Sequence, residues 1–147
     1  MKKMISPAQG SPLAAEQQVR QFVRKYRTVA VVGMSDDLGG DAVVNAERLM
    51  AHGFQFFPVH SECGDALGHS CVPHLHDLSG GIDIVQVLPS AEVSMIHLAK
   101  EAIQKGVKVF WVEDAAVDPE IAELLACEGI HVVAEKNLEK EFLAGES

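Results

Sequence analysis

No apolar run in this 147-residue chain approaches the ~20 residues needed to cross a bilayer, so no membrane-spanning helix is expected. Cations are scarce. Twelve Lys and Arg stand against 21 Asp and Glu, a formal charge of −9. Such a chain lacks the basic footprint that nucleic acid and anionic membrane surfaces require, and both are excluded as expected partners. Cysteine is limited to three, an odd number with no CxxC pair, which fits free thiols in a reducing compartment. Two lysines follow Met1 without an apolar stretch behind them, so no secretory signal is expected and the expected location is the cytoplasm. Three motifs are also missing: G-x-x-x-x-G-K-[ST], G-x-G-x-x-G and G-x-S-x-G. Their absence excludes a P-loop, weakens a dinucleotide reading and leaves Ser35 without a nucleophile elbow.

What is present is enough apolar residue, 48%, to bury one core. Residues 1–12 read as a flexible N-terminal arm, and 13–147 as a single domain. Val19, Phe22 and Val23 recur at helical spacing between Leu13 and Tyr26, on a helix expected to pack at a sheet edge. Residues 28–33 read as a buried strand. Asp41 is an expected cap for a helix with Val43, Val44, Ala46, Leu49 and Met50 on its apolar face, ended by Gly53. Phe54 to Val59 follows as a strand, then a loop-rich stretch over 60–81 with an extended piece at Cys71 to Pro73. Ile82 to Leu88 is a third strand. Pro89 and Ser90 open a helix with Val93, Ile96, Ala99 and Ile103 inward, closed by Gly106. Val107 to Val112 is a strand, and Asp118-Pro119 starts a helix that carries Ile121, Leu124 and Leu125 and stops at Gly129. Ile130 to Ala134 is the last strand, and the tail from Lys136 is charged. Strands alternating with helices predict an α/β Rossmann-like three-layer sandwich around a mostly parallel five-stranded sheet.

In such sheets ligands sit beyond the C-terminal ends of the strands, and phosphates rest on the first strand–loop–helix turn. That turn follows Ala30-Val31-Val32-Gly33-Met34-Ser35 and runs through Asp36, Asp37, Leu38, Gly39 and Gly40 to Asp41. The glycines allow the loop to cradle a phosphate, but its charges are carboxylates. The second strand ends in His60 rather than the Asp or Glu that holds an NAD ribose.

Several further pieces stand in order along the chain: His52-Gly53-Phe54 with Phe57-Pro58-Val59, Leu67-Gly68 with Cys71, and Asp83-Ile84-Val85. Glu101-Ala102-Ile103 with Gly106, then Trp111, then Gly129 with Val132-Val133 complete the set. Together with the first strand and loop, they make residues 22–135 resemble the stand-alone CoA-binding domain family, related to the N-terminal domain of the succinyl-CoA synthetase α subunit. The resemblance implies a Rossmann-like domain that binds CoA, an acyl-CoA or a nucleotide-like ligand without catalysis. It also implies that Gly33, Met34 and Ser35 meet the phosphates in the loop containing Asp36, Gly39 and Gly40. His60 and Ser61 then lie on the adenosine side, and Leu88 and Pro89 along the pantetheine path.

The chain departs from the family at charged positions. Gly40, Asp41 and Ala42 stand where an arginine, proline and serine are usual, and Leu88-Pro89 replaces a phenylalanine–arginine pair. His60 and Ser61 replace an asparagine and proline, Glu113 a glutamine, and Lys136 an arginine. A carboxylate ~6 Å from a phosphate charge costs on the order of 3 kcal/mol at an effective dielectric near 20, before screening. Weakened CoA binding is therefore expected.

The alternative is a degenerate family member that serves as a protein-interaction or cation-binding module. Asp36, Asp37, Asp41, Glu113, Asp114 and Glu135 make an acidic rim for a divalent cation or basic partner, or else are solvated and helix-capping residues. His60, Cys63, His69, Cys71, His74 and His76 supply zinc-type ligands at a spacing that matches no zinc pattern. The plainer reading makes Cys71 a small buried hydrophobe and the histidines surface residues, and no metal is assigned. Among Phe54, Phe56 and Phe57 one ring is expected to face outward, at a homodimer surface or an adenine. Trp111 and Phe110 are expected in the core.

Overall fold

A computed structural model describes residues 13–33, 40–60, 64–89, 91 and 93–146, with residues 40–42 and 145–146 described at the backbone. The elements in chain order are α1 (Glu16–Lys25), β1 (Thr28–Val32), α2 (Gly40–Met50), β2 (Gln55–Val59), β3 (Asp65–Ala66), β4 (His69–Ser70), β5 (Ile84–Val87), α3 (Met95–Lys105), β6 (Val109–Glu113), α4 (Pro119–Cys127), β7 (His131–Lys136) and α5 (Leu138–Glu146). Five strands form one all-parallel sheet in the order β2-β1-β5-β6-β7, a Rossmann-like α/β arrangement. The strands are near-continuous apolar runs because helices cover both faces. Ile84 and Leu88, Val109 and Trp111, and Phe56 join α1, α2 and α5 on one face. Val85, Val87, Phe110 and Val112 join α3 and α4 on the other. The two sets alternate along each strand, as the period of two requires.

Both sheet edges are covered. Beyond β2, Val72 bridges Val59, and Pro58 is tolerated because its missing N–H lies on the side away from β1, where its carbonyl accepts from Val72 N–H at 3.2 Å. Beyond β7, Leu13 bridges Val132 and leads directly into α1, in accord with the expected edge position of that helix. No helix among the described residues is long and apolar enough to cross a membrane.

Several local expectations are corrected. The helix after β5 starts four residues past Ser90, at the cap Ser94, whose Oγ accepts from His97 N–H at 3.4 Å. Starting there turns Leu98, Ala99 and Ala102 inward and leaves Val93 and Ile96 exposed. Val44 is exposed as well, and α2 already includes Gly40, so Asp41 lies inside its first turn. In α4 the fully buried positions are Ala122 and Leu125, with Ile121 and Leu124 half-buried, while Asp118 caps as expected, accepting from Glu120 N–H at 2.8 Å. The charged tail is in part β7 and otherwise a helix, α5, and the β3–β4 hairpin lies within the stretch read as loop. Cys127 is a free, exposed thiol, but Cys71 is disulfide-bonded, so the three cysteines are not all the free thiols expected.

Candidate functional site

The strand order reverses between β1 and β5, since β2 lies to one side of β1 and β6 to the other. Crevices in parallel sheets open at such a point. The strand ends are held level there: Gly33 N–H donates to Val59 O, and Leu88 N–H to Val32 O, both at 3.0 Å. Gly33 has φ +95°, a conformation L side chains rarely adopt, and an added Cβ would come within 2.8 Å of Ala91 Cβ and 2.9 Å of its Cα. Only glycine lets the chain leave β1 in that direction while the segment after β5 packs against it.

A cavity of about 640 Å³ opens beside Leu88 and Pro89 on the face covered by α2 and α5. Its size is ordinary for a small-molecule site. Leu49 and Phe56 form an apolar wall, and Gln86 and Glu113 lie among its lining residues. Gln86 follows Ile84 by two residues on β5, and Glu113 follows Trp111 by two on β6, so the strand period aims both polar groups at a core face. They are 7% and 6% exposed, and with Glu139 at 8% they make up the buried polar and charged side chains among the described residues. All three line this one cavity.

Glu113 is held by its neighbours. Gln86 Nε2 donates to its Oε2 at 3.1 Å, and Leu138 N–H donates to both carboxylate oxygens at 3.1 and 3.2 Å. Leu138 is the first residue of α5, so the carboxylate satisfies one of that helix's otherwise unpaired N–H groups. A bulge places the helix there. Glu113 pairs with Lys136 where regular register would give Glu135, and Glu135 adopts φ +59°. Asn137 then caps α5 through Lys140 N–H at 3.0 Å, and Trp111 Nε1–H donates to Lys136 O at 3.0 Å. Burial pushes the Glu113 carboxyl up to about 7, against the hydrogen bonds from Gln86, Leu138 and Trp111 and with a smaller push from Asp114. At the mouth, Arg48 lies 3.6 Å from Glu139, and Lys140 is exposed.

A smaller cavity of about 250 Å³ lies on the opposite face, between the ends of β1 and β2 and the start of α3. His60, His74 and His97 line it with Glu101. His76 Nδ1 is 2.5 Å from Glu101 Oε2, and the His74 and His76 rings stack with centroids 5.2 Å apart. Among the described residues no group of three or more His, Cys, Asp or Glu is disposed to hold a metal ion. Phe57 is half-buried with its ring 5.0 Å from that of His69, while Phe54, Phe56, Phe110 and Trp111 are core residues.

The candidate residues read from the sequence thus fall on two sides of one sheet edge. Leu88 and Pro89 line the larger cavity, His60 the smaller, and Gly33 ends the strand between them. Gly40 opens α2. Met34, Ser35, Asp36, Gly39 and Ser61 lie outside the described residues, as do residues 1–12.

Residues 27–141 match the model of the CoA binding domain. The chain belongs to that family. The chain is 28% identical to the uncharacterized protein YneT of Bacillus subtilis over 123 residues, 84% of this chain and 89% of YneT. A solved hypothetical protein from Pyrococcus horikoshii OT3 shares the fold with a TM-score of 0.81 and 24% identity over the whole of both chains. A solved Thermus thermophilus protein matches with a TM-score of 0.77 and 26% identity, over 89% of this chain and 98% of its own.

Gln86, Asn137, Glu139 and Lys140 were absent from the sequence-based candidates. A signal existed for Gln86, a lone polar residue inside the apolar run from Ile84 to Leu88. Glu113 reads from the sequence as part of an acidic rim, yet it is buried. None existed for the last three, because only the bulge at Glu135 brings them over the strand ends.

Proposed function

We propose that this chain is a non-catalytic module that binds CoA or an acyl-CoA along the C-terminal edge of its sheet. The observation that carries the reading is the match of residues 27–141 to the CoA binding domain. Two cavities that open at that edge, on either side of the crevice at Gly33 and Leu88, supply room for an extended ligand. The diphosphate takes the loop of Gly33, Met34, Ser35, Asp36, Gly39 and Gly40. The adenosine end lies toward His60 and Ser61, and pantetheine runs past Leu88 and Pro89. Affinity is reduced by the carboxylates of that loop, which occupy the place of a cation that would pair with phosphate.

Thermal unfolding with millimolar CoA and with adenosine nucleotides tests the reading. A ligand at 100 times its Kd stabilises by about 2.7 kcal/mol, enough to raise Tm by a few degrees. A rise with CoA larger than that with ADP supports the module. No rise with CoA or acetyl-CoA overturns it and leaves the protein-interaction role of a family member that has lost its ligand.

A further inference from the structure

The larger cavity has a composition that CoA itself does not explain. Three of its polar side chains, Gln86, Glu113 and Glu139, are buried, and they are the buried polar groups of the described residues taken together. We propose that this cavity holds the acyl end of a short acyl-CoA whose acyl group carries a hydrogen-bond donor, a hydroxyl above all. The proposal rests on the CoA reading, because the cavity opens beside Leu88 and Pro89, where that reading runs the pantetheine arm.

The ligand class follows from what the interior can still offer. Above pH 7, where Glu113 is ionised, its carboxylate is acceptor-only, with about four lone-pair positions over its two oxygens. Glu113 receives one N–H from Gln86 and a shared one from Leu138, and Trp111 Nε1–H, which donates to Lys136 O, also lies toward it, so acceptor capacity remains for a donor that enters from the cavity. Gln86 spends an amide N–H on Glu113, and its carbonyl is a second acceptor of the same kind. A saturated acyl chain would leave these buried groups facing hydrocarbon, which is unfavourable for each one not hydrogen-bonded. An acyl group that ends in a carboxylate would meet Glu113 and Glu139, and like charges in a partly buried space repel. Leu49 and Phe56 accommodate the first carbons of a short chain, and 640 Å³ is ample for four of them. A hydroxyl is the group that satisfies wall and interior at once.

The test compares butyryl-CoA with 3-hydroxybutyryl-CoA, which differ by one hydroxyl, alongside free CoA and malonyl-CoA, by calorimetric titration of the full chain at pH 8, where Glu113 is ionised. Binding of 3-hydroxybutyryl-CoA at least tenfold tighter than butyryl-CoA or malonyl-CoA is the expected result. A site built to hydrogen-bond a hydroxyl rejects the analogue without it. In Glu113→Gln, which keeps an acceptor for Leu138 N–H and preserves the shape, the preference drops severalfold. A role of Glu113 confined to holding α5 would leave the ratio of the two affinities where it was. Free CoA binding with equal affinity for butyryl-CoA and 3-hydroxybutyryl-CoA overturns the proposal and leaves the CoA reading intact. Tighter binding of malonyl-CoA also overturns it, in favour of Arg48 and Lys140. Absence of binding by any of the four compounds overturns both.

Discussion

Glu113 is a carboxyl whose folded-state pKa, about 7, stands above its ordinary 4.5 because burial disfavours the charge. The sign of the consequence is fixed by linkage. Between pH 4.5 and 7 the unfolded chain has released this proton and the folded chain retains it, so stability from this group is complete below pH 4.5. It is lost as pH rises through 7. The size is about 3 kcal/mol. Glu113→Gln cannot titrate, and its amide can still accept from Leu138 N–H. Urea unfolding of both proteins across pH 4.5–8 should show the variant gaining on the parent by about 3 kcal/mol, most of it before pH 7.5. A difference that stays constant with pH would refute the assignment. Gly33 is the other residue on which the site turns. Gly33→Ala sets a Cβ against the backbone of Ala91 at a φ of +95°, and should cost about 2–5 kcal/mol in unfolding free energy. The need for glycine at the end of β1 was legible, since an apolar run that stops in Gly before a loop and helix implies a tight exit. Its contact with Ala91 was not, because that depends on where the chain after β5 returns.

At the scale of elements, the sequence pattern spoke clearly wherever burial was one-sided or complete. The five main strands are apolar runs flanked by turn residues, and α1 carries Val19, Phe22 and Val23 at helical spacing, so both were legible. The start of α3 is masked in the sequence because proline and serine at 89–90 mimic a helix opening, while the actual cap, Ser94, lies four residues past Ser90. The last helix was illegible for a different reason. Residues 138–144 carry three charges and only two buried apolar side chains, Leu138 and Phe142, which is too sparse a pattern to separate from a solvated tail. Those few contacts are nevertheless dense. Phe142 meets the Phe54 ring edge-on at 5.2 Å, and the Arg27 guanidinium lies 4.6 Å from the Phe54 centroid and 5.3 Å from that of Phe142. Arg27 also donates to Val23 O, which ties the end of α1 to the same cluster. Phe142→Ala should therefore cost about 3–5 kcal/mol, read by chemical denaturation. It should also weaken acyl-CoA binding, because α5 supplies Glu139 and Lys140 to the cavity. A loss below about 1 kcal/mol would mean that α5 is a loosely attached tail after all.

For the molecule as a whole, the charge of −9 decides how an anionic ligand arrives. CoA carries three phosphates, and a net-negative protein repels it over distances comparable with the Debye length, about 10 Å at 0.1 M salt. Most phosphate-binding proteins attract their ligand through cations, and their affinity falls as salt is added. Here the loop proposed to face the diphosphate carries Asp36 and Asp37, with no Lys or Arg between Gly33 and Asp41. Added salt screens a repulsion rather than an attraction, so CoA affinity should rise between about 10 and 150 mM ionic strength. Replacing Asp36 and Asp37 by asparagine removes the nearest part of that repulsion. The double variant should bind CoA more tightly, by roughly tenfold once the unscreened cost of about 3 kcal/mol per carboxylate is reduced by salt and solvent. Its affinity should also depend less on salt than the parent's. Calorimetric titration at three ionic strengths decides the matter, because the two effects share one cause and must appear together. An affinity that falls with salt in both proteins would place the diphosphate on Arg48 and Lys140 at the mouth of the larger cavity, and would move the ligand's polar end away from the loop after β1.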